Sequence, residues 1–270
     1  MEGSLASGMQ VFFMHIPKTA GTSFRRFLER SMRERGALVS RREKDGIWSE
    51  TSESYASYDE FVSDRGAGLR RFDLVCGHYP FHVARLLSPD AVVITVLRDP
   101  LARCLSHIKH QMGYERQTVG WTEPDVNAFL AARRNEMFLQ TIGNLAVKYL
   151  SGSGHPDALV EERGLSLDTA VAHCFRMRFG FADELPAFQR RLARELFGGA
   201  GAEIPLGREN RSEDPFAVAD LSPRNRDYLR RLNELDLLLD ELMRQVLDAR
   251  AGFEVQETER PVEDRPGGEA

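Results

Sequence analysis

Three short segments hold residue types that could do group-transfer chemistry on a phosphorylated ligand. The first is His15-Ile-Pro-Lys18-Thr19-Ala20-Gly21-Thr22-Ser23. The apolar run Gln10–His15 before it reads as a buried strand, and Pro17 signals a turn. A helix follows with Phe24, Phe27, Leu28 and Met32 on one face, and Thr22 or Ser23 can cap it. The first N–H groups of a helix lack internal partners, and the helix dipole adds partial positive charge there. An anion in that mouth would meet backbone donors, three hydroxyls and the Lys18 ammonium, with Gly21 permitting close approach. The bland alternative is an ordinary strand-to-helix turn with Lys18 exposed. The order is not that of a Walker A loop, in which the lysine follows the second glycine.

The second segment, Arg98-Asp99-Pro100 through Arg103 to Ser106, follows the β-branched run Ala91–Leu97. Such runs belong to parallel sheets covered on both faces. Arg98 would leave the carboxyl end of that strand, where ligands of open α/β sheets gather, and could grip a phosphate with a forked contact. Ser106, about two turns into a helix beginning at Pro100, could donate to the same anion. Alternatively, Arg98 forms a structural salt bridge with Asp99 or a neighbouring helix, and Ser106 is a plain surface hydroxyl.

The third segment is Leu74-Val-Cys76-Gly-His78-Tyr-Pro-Phe81. A histidine here follows the candidate strand Phe72–Cys76 and could take a proton near neutral pH. Its alternative role is structural, bonded to a loop carbonyl.

Together the segments resemble PAPS-dependent sulfotransferases, enzymes that use 3′-phosphoadenosine 5′-phosphosulfate (PAPS). The likeness is to the carbohydrate/heparan-type branch, whose loop reads His-Ile-Pro-Lys-Thr-Gly-Gly-Thr-Ser; here Ala20 replaces the first glycine. Arg-Asp-Pro-x-x-Arg-x-x-Ser is similar to the family's 3′-phosphate motif, about eighty residues downstream. The resemblance implies that Lys18, Thr19, Ala20, Gly21, Thr22 and Ser23 hold the 5′-phosphosulfate. It implies Arg98 and Ser106 as 3′-phosphate ligands, His78 as catalytic base and Lys18 as a second catalytic group, with no metal. Arg103 would brace the loop, as would His15. In the small-molecule branch a lysine stands two residues before the histidine; here that place is Cys76. Weaker likeness continues through Asn135–Gly152, Phe179–Leu185 and Asn210-Arg-Ser with Asp236. The nucleotide-closing Arg-Lys-Gly loop has no match, and Arg208 and Arg211 are its possible substitutes.

The elements needed to position these groups alternate between strand and helix. Beyond those named, the reading expects a loop over 36–70 with a short helix at Tyr58–Ser63. It places helices at 100–112, Trp121–Leu130, Glu136–Tyr149 and Leu185–Leu196, and a strand at Arg176–Phe181. One long helix spans Arg224–Ala249. The expected class is α/β, a P-loop-related sulfotransferase fold with a mostly parallel sheet of about five strands flanked by helices. Residues 10–253 would be one domain, between a flexible 1–9 and a disordered 254–270 rich in Glu, Pro and Gly. His107 and His110 read as surface or lid residues rather than metal ligands.

Bulk properties narrow the class further. The 270 residues are 42% hydrophobic and 29% charged, enough for a substantial core. A net charge of −5 disfavours general nucleic-acid binding. The basic stretch from Arg25 to Lys44 is either a solvated face or an electropositive wall. Cys76, Cys104 and Cys174 are widely spaced and fit a reducing, cytoplasmic setting. No apolar run is long enough to span a bilayer and no secretory signal is evident, so no membrane span is expected. The partner would be a hydroxyl-bearing glycan or small molecule. Tyr55, Tyr58, Tyr114 and Trp121, in loops 36–70 and 113–135, could stack against it. Rival readings are a nucleoside or small-molecule kinase, which would need a Walker lysine and Mg²⁺ carboxylates, and a non-catalytic nucleotide-binding module.

Overall fold

The computed structural model describes residues 9–34, 40–41, 46–49, 72–116, 122–132, 141–151, 165–199 and 216–258. Six strands form one sheet: β1 (Val11–Met14), β2 (Ser40–Arg41), β3 (Gly46–Ser49), β4 (Leu74–Gly77), β5 (Val92–Leu97) and β6 (Arg178–Phe181). Their order is β2-β3-β4-β1-β5-β6, and every neighbouring pair is parallel. The protein is thus α/β with a parallel sheet flanked by helices. Strands β2 and β3 lie inside the 36–70 segment expected to be loop. Pieces of two and four residues are too short to display a two-residue hydrophobic period, and pairing with β4 is what makes them strands.

Alternation along each strand divides the core. Val11, Phe13, Leu74, Cys76, Ile94 and Val96 face α1 (Gly21–Glu34), which contributes Phe24, Phe27, Leu28 and Met32. Phe12, Met14, Val75, Val93 and Leu97 join the opposite layer. In chain order the next helices are α2 (Pro100–Arg116), α3 (Glu123–Ala132), α4 (Leu145–Ser151), α5 (Leu167–Cys174), α6 (Leu185–Phe197), α7 (Pro223–Leu232) and α8 (Glu234–Thr258). Helix α6 shares the α1 face, whereas α4, α5 and α8 supply the other. Helices α2, α3 and α7 enclose a third apolar cluster around Leu105, Ile108 and Leu229.

Two expected helices are broken. Glu136–Tyr149 is interrupted at Gly143-Asn144, and Arg224–Ala249 splits at Asn233. Both breaks belong to one buried polar network. The Asn144 side-chain carbonyl accepts from the amides of Leu235 and Asp236, and the Asn233 carbonyl accepts from the Asn144 amide. Asp236, 2% exposed, accepts from the amides of Ala146 and Val147 at the head of α4. Asn144 adopts the left-handed conformation (φ 45°), which asparagine tolerates better than most residues. Helix propensity gave way here to hydrogen-bond satisfaction inside the fold. The last helix runs to Thr258, past the Glu254 at which the sequence reading began a disordered tail.

Among the described residues no helix is long and apolar enough to cross a membrane. The three cysteines are buried and free.

Candidate functional site

The three chemistry-bearing segments converge because their strands are neighbours. β1 lies between β4 and β5, so His15–Ser23, His78 and Arg98 all leave the carboxyl edge of adjacent parallel strands. The register is level, with Met14 opposite both Gly77 and Thr95. The chain builds one wing from β1 through β4, then crosses to β5 on the other side of β1. A crevice opens where strand order reverses in this way, the usual ligand position in such sheets.

The loop between β1 and α1 is conformationally unusual. Lys18 and Ala20 both have positive φ, 70° and 66°, a region that costs an L-residue on the order of 1 kcal/mol or more. Hydrogen bonds hold the turn in place. The Thr19 hydroxyl donates to the Ile16 carbonyl at 2.8 Å, and Arg98 Nη1 donates to the Lys18 carbonyl at 2.9 Å. Thr19 is buried, and its hydroxyl proton serves the turn. Helix α1 starts at Gly21, with the Phe24 amide donating to the Ala20 carbonyl. Thr22 and Ser23 therefore lie half-buried in the first turn instead of capping it from outside. Because Ala20 pays a steric penalty that glycine would not, Ala20→Gly should stabilise the fold by about 1 kcal/mol, or about 2–4 °C in Tm. A thermal melt checks this; an unchanged or lower Tm would contradict it.

His15 braces this loop, as expected. Its ring stacks on Phe13 with centroids 5.5 Å apart and sits so close over Gly21 that a β-carbon there would lie 1.9 Å from it. On its other side, the His78 ring lies 4.3 Å away. His78 Nδ1 is 2.7 Å from the His15 carbonyl oxygen. A carbonyl only accepts, so Nδ1 carries the hydrogen and the neutral ring keeps its lone pair on Nε2. The carbonyl contact expected of a structural histidine is present, and it also sets the tautomer a base requires. Tyr149 adds a 3.4 Å contact from its hydroxyl to the His78 carbonyl.

Arg98 is half-buried and forms no close ion pair with Asp99, which instead caps α2 by accepting from the Ala102 amide at 2.7 Å. Among the described residues its one hydrogen bond is to the Lys18 carbonyl, which leaves four of the five guanidinium N–H donors. Ser106 is half-buried on α2. Arg103 does not brace the loop. It is 1% exposed and donates from Nη2 to the Ile142 carbonyl at 2.5 Å, while among the described residues Nε and Nη1 have no partner. Cys76 is wholly buried in β4, where burial pushes its thiol above the usual range.

Basic groups crowd this edge and are partly desolvated. Burial and Arg98 lower the Lys18 pKa. Burial, followed by His78, Arg25 and Lys18, holds His15 well below the ordinary histidine value. Burial lowers Arg98 and Arg103 adds to it, while Asp99 and Asp183 oppose. His110 is lowered by burial and by Lys18. Groups that depress one another's protonation in this way are matched to a bound anion. Among the described residues no group of three His, Cys, Asp or Glu side chains is placed to hold a metal ion.

The sequence reading misplaced His107, which is 8% exposed rather than on the surface. The signal was present: His107 follows Cys104 by three residues and Arg103 by four, and Cys104 and Ile108 are core. Burial, with Arg103, Lys18, His110 and His78, drives its pKa down to about 3. A histidine neutral in the fold but protonated when unfolded binds fewer protons in the native state. Stability is then intact above about pH 6.5 and falls as pH drops toward 3, by up to about 1.4 kcal/mol per unit. Chemical denaturation across pH should show this slope, and His107→Gln should flatten it.

Tyr55, Tyr58, Trp121, Arg208 and Arg211 lie outside the described residues, as do the expected Tyr58–Ser63 helix and the side chain of Tyr114. The chain matches no family model and no curated relative. A sulfotransferase from Alicyclobacillus acidocaldarius, known from its crystal structure, is similar over 88% of this chain and 96% of its own, at 15% identity and a TM-score of 0.43.

Proposed function

We propose that the protein transfers a sulfuryl group from PAPS to a hydroxyl of a glycan or small-molecule acceptor. The observation that carries this reading is the convergence of Lys18, His78 and Arg98 from three adjacent strands. They meet at a loop in which Lys18 and Ala20 have positive φ and the Lys18 carbonyl accepts from Arg98. The residues bear on the donor as the motif likeness implies. The amides of Thr19, Ala20, Gly21, Thr22 and Ser23, with the hydroxyls of Thr22 and Ser23, would bind the 5′-phosphosulfate. Arg98 and Ser106 would bind the 3′-phosphate.

The acceptor oxygen attacks sulfur in line and forms the new S–O bond. The bond from sulfur to the 5′-phosphate oxygen breaks, and its electron pair leaves with 3′-phosphoadenosine 5′-phosphate (PAP). His78 Nε2 takes the acceptor's proton. Lys18, its charge made costly by burial and by Arg98, neutralises the departing oxygen. Rate acceleration then comes from positioning and from charge stabilisation at a preorganised site. The free buried thiols suit a reducing compartment such as the cytoplasm.

Calorimetry with PAP, AMP and ATP·Mg tests the donor assignment. PAP should bind at least about tenfold more tightly than AMP, since loss of one well-paired phosphate contact removes on the order of 1.5–3 kcal/mol. Equal binding of PAP and AMP would refute the reading, and preference for ATP·Mg would point to a kinase. Labelled PAPS with an acceptor panel then identifies the hydroxyl.

A further inference from the structure

We propose that Arg98 is a positioning residue for Lys18, tying recognition of the donor's 3′-phosphate to the geometry of the group that assists sulfuryl transfer. The proposal rests on the sulfuryl-transfer reading and deepens it. The 3′-phosphate would then govern the rate of transfer as well as the affinity.

One bond carries the argument. Arg98 Nη1 donates to the Lys18 carbonyl at 2.9 Å, across the sheet edge and 80 residues away in the chain. The carbonyl, the Lys18 Cα and the Thr19 amide belong to one planar peptide, with the C=O and N–H pointing opposite ways. A hold on the oxygen therefore fixes where the Lys18 side chain starts and which way the Thr19 N–H faces. The loop needs such a hold. Lys18 and Ala20 both have positive φ, and residues other than glycine keep that conformation only where their surroundings enforce it. The Thr19 hydroxyl enforces it from within the loop, on the Ile16 carbonyl at 2.8 Å. Arg98 enforces it from another strand.

The rest of the guanidinium is kept for an anion. Two carboxylates stand near Arg98: Asp99 beside it in the chain, and Asp183 just past β6, which pairs with β5. Both are engaged elsewhere. Asp99 accepts from the Ala102 amide at 2.7 Å, and Asp183 pairs with Arg244 at 3.2 Å. A guanidinium is a rigid plane, so a phosphate gripped by its remaining N–H groups fixes Nη1 as well. Arg98 also lowers the Lys18 pKa, after burial, and a donor anionic at both ends relieves that repulsion.

Adenosine 5′-phosphosulfate, the same donor without the 3′-phosphate, tests the link. At saturating donor, wild-type kcat should be at least about tenfold higher with PAPS; a phosphate that only added affinity would change KM alone. In Arg98→Ala that advantage should shrink to within about threefold, with kcat for PAPS falling at least about tenfold. A ratio of two rates on one sample does not depend on how much of it is folded, so lost stability cannot mimic the result. Arg98→Lys keeps the charge but not the planar fork, and should lose the advantage as well. Equal wild-type kcat values for the two donors would overturn the proposal. So would an advantage that survives in either variant, or a PAPS kcat unchanged by Arg98→Ala. Failure of the underlying reading looks different: the wild-type protein would then turn over neither donor, or would not prefer PAP over AMP.

Discussion

His78→Ala is expected to lose about 10²–10⁴-fold in kcat while binding PAP with near wild-type affinity. The ring is anchored through Nδ1 to the His15 carbonyl, which leaves Nε2 to receive the acceptor's proton. That proton has nowhere comparable to go when the ring is removed. His15 is buried and held neutral by burial and its basic neighbours. Nucleotide affinity should survive, because it rests on the loop amides, Lys18, Arg98 and Ser106. Comparing PAP calorimetry with PAPS turnover makes the separation measurable. Full turnover in His78→Ala would sink the base assignment and leave the donor site standing.

Gly21→Ala is the second large effect, and its sign runs against propensity. Alanine in the first turn of a helix would ordinarily gain about 1 kcal/mol over glycine. Here the new β-carbon would lie 1.9 Å from Cδ2 and Nε2 of His15 and 2.6 Å from Cε1, distances no packed side chain tolerates. The His15 ring cannot yield easily, since Phe13 stacks on one side and His78 lies on the other. Overpacking of this severity costs about 3 kcal/mol, outweighing the propensity gain. We expect a Tm lower by several degrees and a loss of PAP affinity of at least about tenfold, because the loop that moves is the loop that binds. A double variant, Gly21→Ala with His15→Ala, should be more stable than Gly21→Ala alone, since the clash disappears. Additive losses in the double variant would show that His15 is not the obstacle.

Both results depend on contacts across the sheet edge, and such contacts are where sequence reading stopped. The buried strand before Lys18 and the β-branched run before Arg98 were legible, because apolar periodicity and short length dictate such elements locally. Helix α1 was legible from Phe24, Phe27, Leu28 and Met32, all of which are core. Strands β2 and β3 were not, since pairing partners rather than their own residues define them. Nor were the breaks at Asn144 and Asn233, where a buried network outweighs helix propensity. Ala20 illustrates the limit in another way. The sequence shows only that alanine stands where the similar loop has glycine; the backbone alone reveals that the position takes positive φ.

The sequence by itself determined which groups are available: a lysine and hydroxyls at a helix mouth, an arginine beyond a buried strand, and a histidine between them. It also determined that strands and helices alternate. Tertiary structure alone decided that β4, β1 and β5 are neighbours, that His78 is oriented by the His15 carbonyl, and that His107 lies inside. The physical reason is range. Periodicity and capping act over a few residues, whereas strand order, tautomer choice and the burial of a helix face are set by partners about sixty to eighty-nine residues away along the chain.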